Sequence, residues 1–171
     1  MDSNDKIISN NITMLTVLQV AAYLMKRYYD KYNSKMDEMK LHKLLYFTQR
    51  ESLIQTNNPI FSEPFEAWQY GPVMVSVREA YAKDDFGKLP NENELAPYQG
   101  IFKYVLDNYS TRSSWTLSLL SHAEGSWKKA REGYGENATN CHKHITLDDI
   151  RKDAEIAKLR RIKTNSISYT R

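Results

Sequence analysis

Apolar residues recur every three or four positions near the start of the chain, and this pattern predicts an amphipathic helix. One face of that helix carries Leu15, Leu18, Ala22, Met25 and Tyr29. Thr13 or Thr16 can cap its beginning, and it is predicted to end near Asn33.

A second helix is predicted from about Asp37 to Gln55, and it is apolar around most of its circumference. Its apolar positions are Leu41, Leu44, Leu45, Tyr46 and Leu53. Only Lys43 and Arg50 give it a clearly polar side. We interpret these two residues as a small cationic edge that meets phosphate or an acidic partner. A solvated face explains the two cations equally well. Because the rest is apolar, the helix is predicted to run through the core.

Short aromatic segments follow at Ile60-Phe61 and Phe65–Trp68, and their spacing predicts a small β-hairpin or two extended segments. Gly71 permits a sharp reversal after it. Pro72 suits the first turn of the next helix, where its missing N–H costs nothing. The run from Lys83 to Pro97 contains glycine, proline and acids, so it is predicted to be an exposed loop.

Four further helices are predicted in the second half of the chain. They cover about Pro97 to Asn108, Ser113 or Ser114 to His122, Ser126 to Glu132, and a last helix that starts at Thr146 or Asp148. The fold class is therefore mainly α, a compact single-domain bundle of about six or seven helices with a small β-hairpin before Gly71 and Pro72. The predicted organisation is a flexible arm over 1–12, a helical domain over 13–160 and a basic tail over 161–171.

Composition narrows the class of protein only moderately. The chain has 171 residues, of which 41% are hydrophobic, which suits one ordinary domain. Its formal net charge of +3 is too small to indicate a nucleic-acid partner by itself, although residues 151–171 carry +5. Cys141 is the single cysteine, which excludes an internal disulfide. No apolar run approaches the roughly 18 residues of a membrane span. Since the first residues also lack a secretory pattern, we expect a cytoplasmic protein.

Two groups of residues are candidates for chemistry. His122 and Glu124 lie near a helix end beside Trp127, which suggests an acid–base pair or half a metal site. Hydrogen bonding that closes a helix corner explains them better. Cys141-His142-x-His144 offers soft metal ligands, but no second ligand cluster completes a site, so a surface loop is favoured.

The aromatic residues before Gly71 form the sharpest local signal. Trp68 and Tyr70 are residue types that often anchor protein interfaces, and they also lock hairpins against helices. The locking role is favoured for Trp68, whereas Tyr70 is the better candidate for an exposed contact. The chain contains no phosphate-binding loop, dinucleotide fingerprint or nucleophile elbow. The sequence therefore predicts no metal or other cofactor and argues against a standard enzyme.

Three motifs, Lys40 to Phe47, Phe65 to Val73 and Leu117 to Trp127, together resemble the Panacea domain of SocA-like and phage-associated antitoxins. Within them the residues that match the family pattern are Leu44, Tyr46, Trp68, Gly71, Pro72, His122, Glu124 and Trp127. The family more often has glutamine at His42, threonine at Ser121 and proline at Ser126.

The resemblance implies an antitoxin of a type II toxin–antitoxin system, which neutralises a co-encoded toxin by direct binding. One type of toxin with which the family is associated is a small alarmone synthetase. The predicted partner contacts are Lys43, Arg50, Tyr70, Arg78 and Tyr98. Two alternatives stay open, an adaptor that delivers a toxin to a protease and a DNA-binding regulator that uses the basic tail. A third alternative is an enzyme in which His122 and Glu124 catalyse hydrolysis.

Overall fold

The computed structural model describes residues 13–135 and 137–168, without the side chains of 167 and 168. The predicted arm over 1–12 lies outside the described residues. The helices are α1 (Val17–Tyr32), α2 (Glu38–Thr56), α3 (Val75–Lys83), α4 (Glu92–Leu95), α5 (Gln99–Tyr109), α6 (Ser114–His122), α7 (Gly125–Ala130) and α8 (Leu147–Ser168). The strands are β1 (Phe65–Trp68), β2 (Gly71–Val73) and β3 (His144–Ile145). The predicted mainly α fold is confirmed.

Local hydrogen bonds explain where the first two helices begin and end. Thr16 caps α1, because its side chain accepts a hydrogen bond from the Gln19 N–H and its own N–H donates to the Gln19 side chain. Asp37 caps α2 by accepting from the Lys40 N–H at 2.9 Å. Asn33 and Asn57 end the two helices in the left-handed conformation.

Helix α2 forms the centre of the fold, as predicted. Every residue from Lys40 to Leu53 is buried, and the helix packs against α1, α5, α6 and α8. Its apolar side chains form one continuous core with residues from these neighbours. Polar residues of α2 are therefore buried as well, and each needs a partner inside the protein.

The small sheet differs from the predicted hairpin in the strands that pair with Phe65–Trp68. Its order is β2-β1-β3, and β1 pairs antiparallel with both neighbours. Ile60-Phe61 forms no strand, because Gln49 of α2 satisfies its backbone, accepting from the Ile60 N–H and donating to the Phe61 carbonyl. Gly71 and Pro72 lie inside β2 rather than after the hairpin. Pro72 is tolerated there because β2 is an edge strand.

The second half of the chain largely follows the predicted helices. The run from Lys83 to Pro97 is mostly exposed, but it contains the single turn α4 and the start of a 3-10 turn over Ala96–Tyr98. Thr146 accepts a hydrogen bond from the Asp149 N–H and so caps α8. Helix α8 continues to Ser168, into the predicted basic tail. Within the described ranges, no helix combines the length and apolar character needed to cross a membrane.

Candidate functional site

Lys43 and Arg50 do not form an exposed edge, and that prediction is wrong. The exposed fraction is 1% for Lys43 and 8% for Arg50. Other elements surround α2, so both cations face packed neighbours instead of solvent. Neither side chain projects from the surface as the sequence pattern suggested, although Lys43 borders a cavity.

Tyr98 is buried too, and the surface contact predicted there is also wrong. It packs into the core, and its hydroxyl donates a hydrogen bond to the Thr13 carbonyl at 3.3 Å. Tyr70 and Arg78 are exposed, as a partner contact requires. The Arg78 guanidinium lies 5.3 Å from the centre of the Trp68 ring and donates to Glu38.

The β1–β2 turn is pressed against α6, and this contact requires glycine at position 71. Gly71 has a φ of +105°, and a Cβ there would lie 2.4 Å from Ser121 Oγ and 2.8 Å from Lys43 Cε. Ser118 Oγ donates to the Tyr70 carbonyl at 2.7 Å. The turn is thus held by its backbone, and the Tyr70 side chain stays available at the surface.

Lys43 is a buried cation with little compensation. Its Nζ donates to the Pro72 carbonyl at 3.2 Å, and among the described residues no carboxylate pairs with it. Burial lowers its pKa to about 7, although Glu38 acts in the opposite direction. The amine therefore changes charge near neutral pH.

His42 stands beside Lys43 and is held neutral. Its Nδ1 accepts a hydrogen bond from the Met74 N–H at 3.3 Å. Burial, followed by the charges of Lys43 and Arg78, lowers its pKa to about 3. Its buried Nε2 has no hydrogen-bond partner among the described residues and lies 3.5 Å from Glu38 Oε1.

The His122 corner is built from stacked rings. His122 lies on Trp127 with ring centres 4.2 Å apart and an interplanar angle of 14°, and Trp127 Nε1 donates to the Trp68 carbonyl at 2.9 Å. Burial lowers the pKa of His122, while a hydrogen bond with the Gln69 backbone opposes that change. The corner thus ties α6 and α7 to the hairpin.

Glu124 pairs with Arg50 rather than with His122. Arg50 also donates to the Tyr109 hydroxyl at 2.8 Å, and its guanidinium lies 4.9 Å from the centre of the Phe47 ring. Burial raises the pKa of Glu124, and the charge of Arg50 partly offsets that effect. His122 and Glu124 therefore have separate structural partners.

Asp153 of α8 completes the corner, and sequence reasoning missed it. Its carboxylate accepts from the Gly125 and Ser126 N–H groups, at 2.9 and 3.0 Å, and from the Tyr46 hydroxyl at 2.8 Å. The Ser126 hydroxyl, which could have capped α7, forms a hydrogen bond with the Tyr46 hydroxyl instead. The sequence feature that could have indicated this role is the position of Asp153 directly before Ala154, on the inward side of α8.

The Cys141-His142-x-His144 tract lies at the edge of the sheet. Cys141 is buried, whereas His142 is exposed and its Nδ1 lies 2.9 Å from Glu66 Oε2. In the part of the chain that the structure describes, no group of three or more histidines, cysteines and carboxylates is arranged to hold a metal ion.

Two cations of the basic segment 151–171 are engaged within the protein. Arg161 pairs with the buried carboxylate of Glu51, and Arg151 donates to the Asn57 backbone and side chain at 2.7 Å. These contacts fix the base of the predicted tail against the C-terminal end of α2.

Exposed apolar side chains gather around the hairpin turn. The exposed fractions are 49% for Tyr70, 57% for Trp115 and 52% for Leu119. The rings of Tyr70 and Trp115 have centres 6.3 Å apart. We call these three residues the hairpin patch.

Two cavities border the hairpin patch and share Gln69 and Tyr70 as a common wall. The Lys43 cavity, of about 530 Å³, is lined by Asp37, Glu38, Met39, His42, Lys43, Trp68, Gln69, Tyr70, Val73, Arg78 and Thr139. The His122 cavity, of about 640 Å³, is lined by Gln69, Tyr70, Trp115, Leu119, His122, Trp127, Lys128, Arg131, Tyr134 and Asn137. The turn is therefore a ridge between two concave surfaces.

Comparison with known families matches residues 41–128 to the family model described as the antitoxin SocA-like, Panacea domain. The matched range contains most of α2, the β1–β2 hairpin, α6 and the first part of α7. Comparisons with curated proteins and with solved structures found no match.

Proposed function

Because the chain belongs to the SocA-like antitoxin Panacea domain family, we propose that it neutralises a protein toxin by binding it directly. The toxin is the product of an adjacent gene, and the pair forms a type II toxin–antitoxin system. The binding surface is the hairpin patch with its two flanking cavities.

The hairpin patch is the observation that carries this proposal. Tyr and Trp are frequent energetic anchors of protein interfaces, because they bury a large area with little loss of side-chain freedom. Tyr70 and Trp115 lie close together beside two concave surfaces, so a partner can place side chains on both sides of the ridge. An exposed apolar cluster next to such cavities is typical of an interaction surface.

Rigidity supports the same proposal. The Tyr70 backbone is held by Ser118, and Gly71 packs directly on Ser121. A surface whose backbone is fixed before binding loses less conformational entropy when the partner docks. The patch therefore presents Tyr70 from a backbone that is already fixed.

The proposed role is non-catalytic. His122 is stacked on Trp127, and Glu124 is paired with Arg50, so each already serves the packing of the corner. A general acid or base must instead reach a substrate proton. This arrangement favours a scaffold over a hydrolase.

The test is to induce the neighbouring reading frame in a bacterium, with and without this chain, and to measure survival and co-purification. Wild-type protein should restore growth and capture the neighbour. The double variant Tyr70→Ala, Trp115→Ala should lose both effects while keeping its thermal stability, because both side chains are largely exposed.

Tyr29→Ala is the matched control, since Tyr29 is an aromatic residue on α1 with an exposed fraction of 55%. It should neutralise as well as the wild type. Full neutralisation by the double variant would show that the hairpin patch is not the binding surface. A wild-type chain that leaves the toxicity unchanged would contradict the proposed function itself.

A further inference from the structure

The Lys43 cavity combines an apolar wall with polar groups at one end. Met39, Val73, Trp68 and Tyr70 contribute apolar surface, and Lys43 is buried beside them. A concave, mainly apolar site with a few converging polar groups is the usual form of a ligand or anchor pocket. Its volume of about 530 Å³ accommodates one large side chain.

The carboxylates of this cavity already have partners. Asp37 accepts from the Lys40 N–H and from the Ser114 hydroxyl. Glu38 accepts from Arg78. Neither acid forms an ion pair with Lys43.

Lys43 is consequently the cation of the cavity that lacks an anion. A buried ammonium group that donates only to a backbone carbonyl remains poorly compensated. A carboxylate from outside would supply both the missing charge and further hydrogen-bond acceptors.

We propose that the Lys43 cavity binds a carboxylate carried on an apolar body, supplied by an acidic residue or the chain end of the toxin. This inference rests on the proposed function and names the chemistry that one side of the hairpin patch recognises. The carboxylate pairs with Lys43 Nζ, and the apolar part packs against Trp68 and Val73. The cavity adjoins Tyr70, so one docked partner covers the ridge and fills the pocket.

Binding through Lys43 should depend on pH. The amine is surrounded by His42 and Glu38 on its own helix, by Arg78 on α3 and by His122 on α6. Arg78 is paired with Glu38, and burial lowers the pKa of both histidines. Lys43 is therefore the group that must gain a proton, and the carboxylate should bind more tightly at pH 6 than at pH 9.

The first experiment uses phenylacetate as the probe and phenylacetamide as its uncharged counterpart. Each is titrated into the full chain while the NMR signal of the Lys43 side chain is recorded. Phenylacetate should shift this signal and raise the pKa of Lys43, and phenylacetamide should do neither. No Lys43 response to phenylacetate up to millimolar concentration would overturn the proposed carboxylate site.

The second experiment measures binding of the neighbouring toxin by Lys43→Met and by the matched control Lys103→Met. Lys103 lies on the exposed side of α5 and pairs with Asp107, away from the cavity. Lys43→Met should weaken toxin binding at least tenfold and remove its pH dependence. Lys103→Met should behave as the wild type.

The two proposals fail in different ways. Toxin binding that is lost in the Tyr70, Trp115 variant but unchanged in Lys43→Met would overturn the carboxylate inference and leave the antitoxin role in place. A phenylacetate response combined with unaffected toxin binding would overturn the toxin as the source and indicate a small carboxylate ligand. Because the phenylacetate titration uses the wild type, it gives a result even where Lys43→Met fails to fold.

Discussion

Gly71 lies directly against Ser121, so close that a Cβ on Gly71 would be 2.4 Å from the serine Oγ. Ser121 donates to the Ser118 carbonyl, and the Ser118 hydroxyl donates to the Tyr70 carbonyl. The glycine thus determines both the path of the turn and its distance from α6. This relationship gives the structural reason for a glycine at position 71 of this chain.

We expect Gly71→Ala to destabilise the protein by about 2–5 kcal/mol, because it adds left-handed strain and a steric overlap. The matched control is Gly87→Ala. Gly87 also has a positive φ, of +75°, but no atom lies within 4 Å of its Cβ position, so about 1–2 kcal/mol of strain remains. Urea unfolding of both variants separates the two effects. Equal losses of unfolding free energy in the two variants would show that the contact with Ser121 does not contribute to stability.

Removing one member of the buried Arg50–Glu124 pair should be strongly destabilising. Glu124→Leu leaves the Arg50 charge without its anion inside the protein, at a cost of about 3–5 kcal/mol. Arg50→Met combined with Glu124→Leu should recover most of that loss. As a control for ordinary ion pairs, Asp107→Asn at the exposed pair with Lys103 should leave the free energy of unfolding nearly unchanged, because solvent screens that pair.

The same double variant tests the hydrolase alternative. If it folds and still neutralises the toxin, Glu124 cannot be a required acid or base. Loss of neutralisation in a stable double variant would instead favour a chemical role for Glu124.

The helical frame of this protein was predictable because its signals are local. The three-and-four spacing of apolar residues and the caps at Thr16, Asp37 and Ser113 depend only on neighbours along the chain. The central position of α2 followed from the apolar residues around most of its circumference. Such patterns report how an element behaves by itself.

The predictions that failed all depended on contacts between distant residues. Lys43 is buried because the Gly71–Pro72 strand covers it, and Arg50 because Glu124 pairs with it, 74 positions later. The hairpin partner was wrong because Gln49 satisfies the backbone of Ile60 and Phe61. A sequence pattern shows that a side chain is polar, but not that a distant element covers it.

His42 should make the protein sensitive to acid. Its folded pKa of about 3 lies below its ordinary value near 6.5, so the unfolded chain binds more protons between these values. The free energy of unfolding should therefore fall as pH drops below 6.5, by at most about 1.4 kcal/mol per pH unit from this group.

The change that tests this effect is His42→Gln, measured by urea unfolding between pH 4 and 7. Glutamine can accept the Met74 hydrogen bond but does not titrate, so the variant should lose less stability in acid than the wild type. His144→Gln, on an exposed histidine, should follow the wild type. An unchanged acid dependence in His42→Gln would contradict the inferred burial of a neutral imidazole.

Lys43 should affect the free energy of unfolding above neutral pH, whereas His42 affects it below neutral pH. Its folded pKa of about 7 lies below the ordinary value near 10.5, so between these values the folded amine is neutral while the unfolded amine is charged. The unfolded chain then binds more protons, and the free energy of unfolding rises with pH by at most about 1.4 kcal/mol per unit.

Lys43→Met should lack this rise, whereas Lys103→Met should retain it. Urea unfolding at pH 6, 8 and 10 measures the three slopes. A Lys43→Met slope equal to that of the wild type would mean that Lys43 keeps its proton in the folded protein throughout this range, and the pH dependence expected for carboxylate binding would then have another source.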